Sequence, residues 1–315
     1  VAPRGHVSTT DNIGGALAGR EIARAMREAG QETGGPAAMT RADRSRFLNA
    51  LDALVQAGRV QDACWLLDQF GPTDAVLEVD TLEADAIVFA GTLQVAGGID
   101  VDGVVRAGRC IRAGAGIRAG SLQAGEDVTC GGALACGGDA KIGGRLHAAW
   151  GVQVRGALSC EDLRAGWDAC CGREMVMAGH AQVGGRVQAG GDVRCAKGLR
   201  AGEGIECAGN LYAGHGIESG GCVRVGGHLS ADWGIVARGD MLAAGAIRAG
   251  ESLYAEGDIQ AGEGYGIYAG LQVPAHAWAT SARVQAARRP EGLHSGWWAG
   301  PPPGVVLAAE DGGAD

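Results

Sequence analysis

The stretch IRAGAGIRAG, residues 111–120, contains one six-residue unit almost twice: an aliphatic residue, a polar residue, a small residue and then glycine. From Leu93 to Ile259 an aliphatic or small apolar residue returns at every sixth position, with two five-residue steps that lead to Leu122 and Leu163. Of these 29 positions, 26 hold Leu, Ile, Val or Met and three hold Ala. Internal repeats with a fixed short period are the sequence signature of solenoid folds.

The hexad predicts a short strand that ends at a corner. Residues two apart in a strand point to the same side, so the aliphatic residue and the small residue point inward, while residues such as Arg112 and Gln123 point outward. Glycine often follows the small residue, and we expect it to supply a positive φ where the chain turns. Three hexads per turn predict an all-β solenoid, a triangular parallel β-helix of about ten turns. The pattern leaves its handedness undetermined.

The composition agrees with a narrow interior that has no space for rings. Glycine accounts for 58 of the 315 residues, and aromatic residues for only 4%. The glycines follow no three-residue period, which excludes collagen, and the hydrophobic content of 46% is too high for an intrinsically disordered chain. A net charge of −9 argues against nucleic acid as a partner.

The sequence also bears on localisation. No run of eighteen apolar residues is present, so we predict no membrane span. The N-terminus lacks the charged and apolar regions of a secretory signal. We therefore expect a cytoplasmic protein.

The solenoid is flanked by segments of a different character. We expect a flexible or weakly helical N-terminal extension over residues 1–38 and a helical hairpin over 39–75 that caps the solenoid. The parallel β-helix is predicted over 76–263, a C-terminal cap over 264–300 and a disordered acidic tail over 301–315. Caps are expected because the ends of a solenoid otherwise expose strand edges.

Residues 93–263 resemble two families of hexad β-helices. One is the left-handed hexapeptide-repeat fold of many acyltransferases, whose motif usually places the small residue two positions before the aliphatic one. Here the order is reversed, with the small residue two positions after the aliphatic one. The other is the bactofilin-like, polymer-forming β-helix, which is similar in its long solenoid with few insertions. The first resemblance implies an acyltransferase, and the second implies a filament-forming scaffold.

The positions of the cysteines and histidines are explained by the repeat and do not indicate a catalytic or metal site. Six cysteines lie at the small inward position, where cysteine behaves as a small hydrophobic residue: Cys130, Cys136, Cys160, Cys171, Cys195 and Cys207. No C-x-x-C pair has the matching second pair that a zinc site needs. The histidines of the repeat lie in no extruded loop that would form a catalytic pocket. We therefore predict no catalytic residue, no cofactor and no metal.

Two tryptophans are candidates for a binding surface. Trp150 and Trp167 each follow the aliphatic residue of their hexad by four positions and lie three hexads apart. This spacing predicts that they stack on adjacent turns at one corner, bordered by the outward residues His147 and Arg164. An exposed aromatic pair beside a cation is typical of protein-binding surfaces, and it also fits local packing over the corner backbone.

We interpret the sequence as a non-catalytic β-solenoid that acts as a rigid protein-binding or scaffold surface. Its partner is either another protein or a second copy of the chain. The alternatives are an immunity or inhibitor protein that neutralises a toxin, and a bactofilin-like filament former. A hexapeptide-type acyltransferase is the least favoured class, because the repeat has no insertions that would build a cleft.

Overall fold

The computed structural model describes residues 41–303. The predicted extension over 1–38 and the part of the predicted tail beyond Pro303 lie outside the described residues. Within the described range the chain forms an all-β parallel solenoid preceded by two helices, which confirms the predicted fold class.

The helices are few and lie outside the regular repeat. Helix α1 spans Arg41–Gln56 and α2 spans Val60–Phe70, both before the first strand. A 3₁₀ helix, Ala275–Ala277, and the short helix α3, Trp278–Ser281, lie between late strands of the solenoid.

Each turn of the solenoid, which we name a rung, contributes one strand to each of three faces. Face 1 is a parallel sheet of thirteen strands. Its strands are Val76–Val79, Thr92–Val95, Ile111–Ala113, Val128–Cys130, Leu146–Ala148, Leu163–Ala165, Ala181–Val183, Leu199–Ala201, Ile217–Ser219, Ile235–Ala237, Leu253–Ala255, Arg283–Gln285 and Trp297–Trp298.

Faces 2 and 3 are joined, because Ile99–Ala107 and Ile117–Ala124 run through the corner between them and contribute to both. The other strands of face 2 are Leu82–Ala84, Leu134–Cys136, Val152–Val154, Ala169–Cys171, Val187–Ala189, Ile205–Cys207, Val223–Val225, Met241–Ala243 and Ile259–Gln260. The other strands of face 3 are Ile87–Phe89, Ala140–Ile142, Leu158–Cys160, Met175–Met177, Val193–Cys195, Leu211–Ala213, Leu229–Ala231, Ile247–Ala249, Ile267–Tyr268 and Leu293–Ser295.

Every strand pairs in parallel with the equivalent strand one rung away. Paired residues are eighteen positions apart in a regular rung, as Leu199 and Ile217 are. They are seventeen apart where one hexad is a residue short, as Leu146 and Leu163 are. A one-residue slip within a strand would turn its inward residues to the solvent. The five-residue steps avoid this because they shorten a corner and leave the inward residues in place.

The solenoid has about twelve turns and is therefore longer than the ten that the hexad indicates. Parallel pairing begins at Val76–Val79, before the hexad becomes regular at Leu93. It also continues past the end of the hexad, where Leu253 pairs with Val284 and Val284 pairs with Trp298. The long connection between Leu253 and Val284 breaks the six-residue period and so conceals these last rungs in the sequence.

The interior of the solenoid is one continuous apolar core made of the two inward residues of each strand. The large inward residues Leu146 and Leu163 are at most 2% exposed, and their small partners Ala148 and Ala165 at most 3%. Burying one aliphatic side chain of this size contributes about 1.5–3 kcal/mol. Three such residues per rung are therefore a main source of the stability of the stack.

The corner glycines do not adopt positive φ, so the conformational reason expected from the sequence is wrong. Among residues 41–303, positive φ occurs at glycines outside the regular repeat, such as Gly71 and Gly264. At the corners, neighbouring rungs approach each other closely. A Cβ at Gly114 would overlap the carbonyl oxygen of Ala96 in the rung before it. Glycine at this position therefore allows the close contact between rungs, although Ala149, Arg238 and Glu256 occupy the equivalent position in later rungs.

A second contact between rungs involves the last residue of each corner. The side chain of an Asp, Asn or His at this position accepts a hydrogen bond from the backbone N–H of the equivalent residue in the next rung. Asn210 N–H donates to Asp192 Oδ1 at 2.8 Å, and His228 N–H donates to Asn210 Oδ1 at 2.9 Å. His228 Nδ1 in turn accepts from Ala246 N–H at 3.0 Å. We name this set the corner ladder; it gives corner N–H groups an acceptor.

The two helices lie against the outer side of face 3, beside the first rungs. Their apolar side chains form a cluster with Val88 and Ala90 that is separate from the solenoid interior: Phe47, Ala50, Leu51, Leu54, Ala63, Leu66 and Leu67. Arg106, an outward residue of face 3, is buried beneath α2. It donates to the Cys64 carbonyl oxygen at 3.1 Å and forms an ion pair with Asp68. The hairpin is thus attached to the side of the solenoid.

Candidate functional site

The two tryptophans that the sequence singles out lie together at the corner between faces 1 and 2. The rings of Trp150 and Trp167 are stacked, with centroids 5.8 Å apart and an interplanar angle of 10°. This is the arrangement that their spacing predicts. The two residues are 54% and 64% exposed. Most of this aromatic surface therefore faces solvent, and little of it is used to cover the corner backbone.

Glycines flank the tryptophan pair along the corner. Gly132 occupies the equivalent position one rung before Trp150, and Gly185 occupies it one rung after Trp167, as the backbone hydrogen bonds between these positions show. Because glycine has no side chain, neither neighbouring rung covers the pair at this position. The pair therefore offers its outer ring faces, as well as its ring edges, to a partner.

His147 and Arg164 border the pair on face 1. They are directly paired on adjacent strands, and both are exposed. Arg164 Nη2 donates to the side-chain oxygen of Gln182 at 3.0 Å, and it forms no ion pair with any residue of the described range. The structure thus brings all four predicted residues together at one edge of face 1.

The outward column of face 1 is cationic or neutral over six rungs. From the third rung onward its residues are Arg112, Thr129, His147, Arg164, Gln182 and Arg200. The first carboxylate after this run is Glu218, which pairs with Arg200 at 3.1 Å. The whole chain has a net charge of −9. The column therefore gives face 1 a local charge opposite to that of the protein.

A second aromatic cluster, which the sequence analysis missed, lies at the other corner of face 1. Trp233 stacks on His215 of the preceding rung, with ring centroids 4.3 Å apart and an interplanar angle of 9°. His180 approaches His215 edge-on at 6.0 Å. These rings and Arg164 are among the residues that line a groove of about 1,120 Å³ along face 1. The eighteen-residue spacing of His215 and Trp233, one full turn, was the signal available in the sequence.

The carboxylates at the rim of this groove are held by the corner ladder. Asp127 Oδ1 accepts from Arg145 N–H at 2.8 Å, and this backbone hydrogen bond, together with the Arg145 guanidinium, lowers the pKa of the Asp127 carboxyl. Asp162 Oδ1 likewise accepts from His180 N–H at 2.6 Å. These carboxylates keep their negative charge at the rim. On the floor of the groove Arg200 pairs with Glu218, whereas Arg164 has no ion-pair partner in the described range.

Face 2 carries a comparable groove with a different character. It has a volume of about 990 Å³ and no aromatic lining residue. Its charged lining residues are Arg155 and the pair Glu206 and Arg224, which form an ion pair at 3.3 Å. Exposed aromatic surface and unpaired cations therefore coincide on face 1 and not on face 2.

The six inward cysteines are buried, as the repeat predicts. Burial raises the pKa of the Cys160 and Cys207 thiols to about 12 and that of Cys130 to about 11. These thiols stay protonated at neutral pH, whereas nucleophiles and metal ligands are thiolates. All ten cysteines of the chain are free thiols. Among residues 41–303, no three His, Cys, Asp or Glu side chains are placed to hold a metal ion.

The described residues also contain no helix that is long and apolar enough to span a membrane.

Comparison with known proteins gives a match for the N-terminal segment. Residues 1–57 match the sequence profile of an uncharacterised family, DUF188, described as the YaiI/YqxD family. A UPF0178 protein of Caulobacter vibrioides is 58% identical over 55 residues, which cover 18% of this chain and 36% of that protein. A UPF0178 protein of Paramagnetospirillum magneticum is 52% identical over 59 residues, which cover 18% of this chain and 39% of that protein.

The similarity to these relatives is confined to one end of the chain. The chain spans little more than a third of the length of the relatives it matches. Within the described residues the match includes α1 and ends beside its last residue, before any strand of the solenoid. No solved structure matches the chain.

Proposed function

We propose that this protein is a non-catalytic β-solenoid that binds another protein in the cytoplasm through face 1, with Trp150 and Trp167 as anchors. The observation that supports the proposal most is the stacked indole pair, exposed on a corner where glycines leave its outer faces open. Ten free thiols fit a reducing compartment, where disulfides are rare.

The geometry suits association for energetic reasons. Tryptophan and arginine dominate the residues that contribute most to protein–protein affinity, and here Arg164 lies beside the indoles without an ion-pair partner in the described range. Each indole is stacked and held on a strand-bounded corner. Little conformational entropy is therefore lost when a partner covers it, which raises affinity.

The test is capture of a partner by the tagged full-length chain from a lysate of its own organism, quantified by mass spectrometry. We expect one dominant protein, whose recovery falls at least tenfold with Trp150→Ala/Trp167→Ala. The control is Leu271→Ala, which removes an apolar side chain of equal exposure (54%) outside face 1. Equal recovery with both variants would show that the tryptophan pair is not the interface.

The second candidate function is end-to-end assembly of the solenoid into filaments. It is favoured by the position of the helices, which lie beside face 3 and leave the strand edge of the first rung uncovered by the described residues. Filaments predict particles that grow with concentration in sedimentation velocity and appear as rods in negative-stain microscopy. A sharp monomer peak at all concentrations would remove this candidate.

The remaining alternatives differ in what they require. An immunity or inhibitor protein would use the same binding surface, with a toxin as its partner. Capture of a toxin from the lysate would support this function. An acyltransferase needs a cleft with converging polar groups, and we give it the lowest weight because the grooves on faces 1 and 2 are open surfaces of the strands.

A further inference from the structure

The N-terminal end of the solenoid is an open edge of three strands. Val76–Val79, Leu82–Ala84 and Ile87–Phe89 each pair with the second rung. No other strand within residues 41–303 pairs with their opposite side. Such an edge presents backbone N–H and C=O groups that are free to pair with another chain.

The apolar core is also exposed at this end. Leu77, Leu82 and Ile87 point inward but are only partly buried. The residues that pair with them in the second rung are at most 2% exposed: Leu93, Ile99 and Val105. The first rung therefore lacks the covering layer that each later rung receives from the one before it.

Unpaired carboxylates surround this edge. Seven Asp or Glu residues and no Lys, Arg or His occur in residues 71–105. Three of the seven pair with arginines of later rungs: Asp74 with Arg109, and Asp100 and Asp102 with Arg118. The other four are exposed, belong to the first rung and form no ion pair with a residue of the described range: Glu78, Asp80, Glu83 and Asp85.

We propose that this edge binds an extended segment of another protein in which apolar and cationic side chains alternate. The segment adds as a further parallel or antiparallel strand, so that its backbone satisfies the free edge. Its apolar side chains cover Leu77, Leu82 or Ile87, and its cations pair with the carboxylates around them. This surface is distinct from face 1 and does not depend on the function proposed above.

The charges also disfavour a second copy of the chain as the partner that binds this edge. A two-fold dimer through this end would bring two sets of four carboxylates together, and like charges on strand edges are a known device against edge-to-edge pairing. The opposite end of the solenoid finishes with Trp297–Trp298, and prolines follow it at 301–303. Proline has no N–H to donate to a ladder, so that end is a poor match for the open edge.

The test uses the full-length protein and a fluorescein-labelled eight-residue peptide of alternating Lys and Val, followed by fluorescence anisotropy. We expect binding that is at least tenfold tighter than that of the matched Glu–Val peptide. We also expect a tenfold loss when two central residues of the Lys–Val peptide are replaced by Pro, because proline blocks strand addition. Amides of residues 76–89 should exchange hydrogen more slowly when the Lys–Val peptide is bound.

The protein variants give the second arm of the test. Glu78→Gln/Glu83→Gln removes two of the unpaired carboxylates and should weaken the Lys–Val peptide roughly threefold to tenfold. The matched control is Glu218→Gln on face 1, which should leave binding unchanged. Trp150→Ala/Trp167→Ala should also bind the peptide as the wild type does, so failure of this proposal and failure of the face 1 proposal are distinguishable.

Several outcomes would overturn the proposal. Equal affinity for the proline-containing peptide would mean charge attraction without strand addition. Slow exchange, in the free protein, of those amides of residues 76–89 that do not donate to the second rung would show that another part of the chain already covers the edge. A dimer in sedimentation velocity that dissociates when the edge is mutated would make a second copy the occupant.

Discussion

Gly185→Ala tests whether a side chain of the corner ladder is the reason why this corner position holds glycine. A Cβ at Gly185 would overlap Asp168 Oδ1 of the preceding rung, while the nearest backbone atoms would be 3.2 Å away. The Asp168 side chain would have to turn away and would lose its hydrogen bond from Arg186 N–H, which is 2.7 Å long.

The magnitude follows from that bond and from its surroundings. A hydrogen bond to a charged group contributes roughly 1.5–3 kcal/mol, and the low end applies because Asp168 is exposed and water competes for both groups. Replacing glycine by alanine regains about 0.4–1 kcal/mol by restricting the unfolded chain. The net expectation for Gly185→Ala is a loss of about 0.5–1 kcal/mol in the free energy of unfolding.

The control is Gly221→Ala. Gly221 lies at the same corner as Gly185, two rungs further along the solenoid. There the nearest atoms to a new Cβ are backbone atoms of the preceding rung at 3.3–3.4 Å, and no side chain is in the way. This change should be neutral or slightly stabilising. The measurement is the midpoint of urea unfolding by far-ultraviolet circular dichroism for each variant and for Asp168→Ala/Gly185→Ala.

The double variant decides the mechanism. If the ladder is the cause, Gly185→Ala should cost nothing further once Asp168 is alanine, because the overlap and the hydrogen bond are both gone. Strictly additive effects of the two single changes, or an equal loss for Gly221→Ala, would refute the reasoning.

Three further predictions concern thiols, alkaline pH and the helices. Ellman's reagent at pH 8 should label the native protein only at its partly exposed cysteines, and all ten should react in urea; the exposed set is Cys64, Cys170 and Cys222. Because burial raises the pKa of Cys160 and Cys207 from 9.0 to about 12, the unfolded chain loses their protons first, so stability should fall between pH 9 and 12. The slope approaches roughly 1.4 kcal/mol per pH unit for each thiol, and urea titrations at each pH should show a shallower fall in Cys160→Ala. Arg106→Ala removes a buried contact to α2 and should expose the hairpin to limited proteolysis, whereas Arg248→Ala, on the same face but far from the helices, should not.

The repeat could be predicted from the sequence because each rung contacts its neighbours with a fixed spacing. The same property explains the stacked Trp150 and Trp167, since residues one turn apart are neighbours in space. The pairing of His215 with Trp233 obeys the same rule but joins two different residue types, and a search for like residues does not find it. The last rungs could not be predicted, because a long connection before Val284 interrupts the period.

Two other features needed the structure itself. The reason for the corner glycines lies between rungs and not within the turn, so an argument from turn conformation alone gives the wrong cause. The ladder nevertheless leaves a trace in the sequence: Asp168 and Asp192 are each followed seventeen residues later by glycine, at Gly185 and at Gly209. The position of the helices on face 3 depends on the outward side chain of Val88. Val88 lies in an apolar run with Ile87 and Phe89, so the sequence does not show which of these residues points outward.

The parallel register of the rungs has a mechanical consequence. The hydrogen bonds between rungs run along the axis of the solenoid, so a force that pulls its two ends apart loads one rung at a time. The chain should then unwind from an end in steps of one turn. Each step of eighteen residues would release about 60 Å of extended chain. The protein would therefore lengthen under tension in a series of such steps.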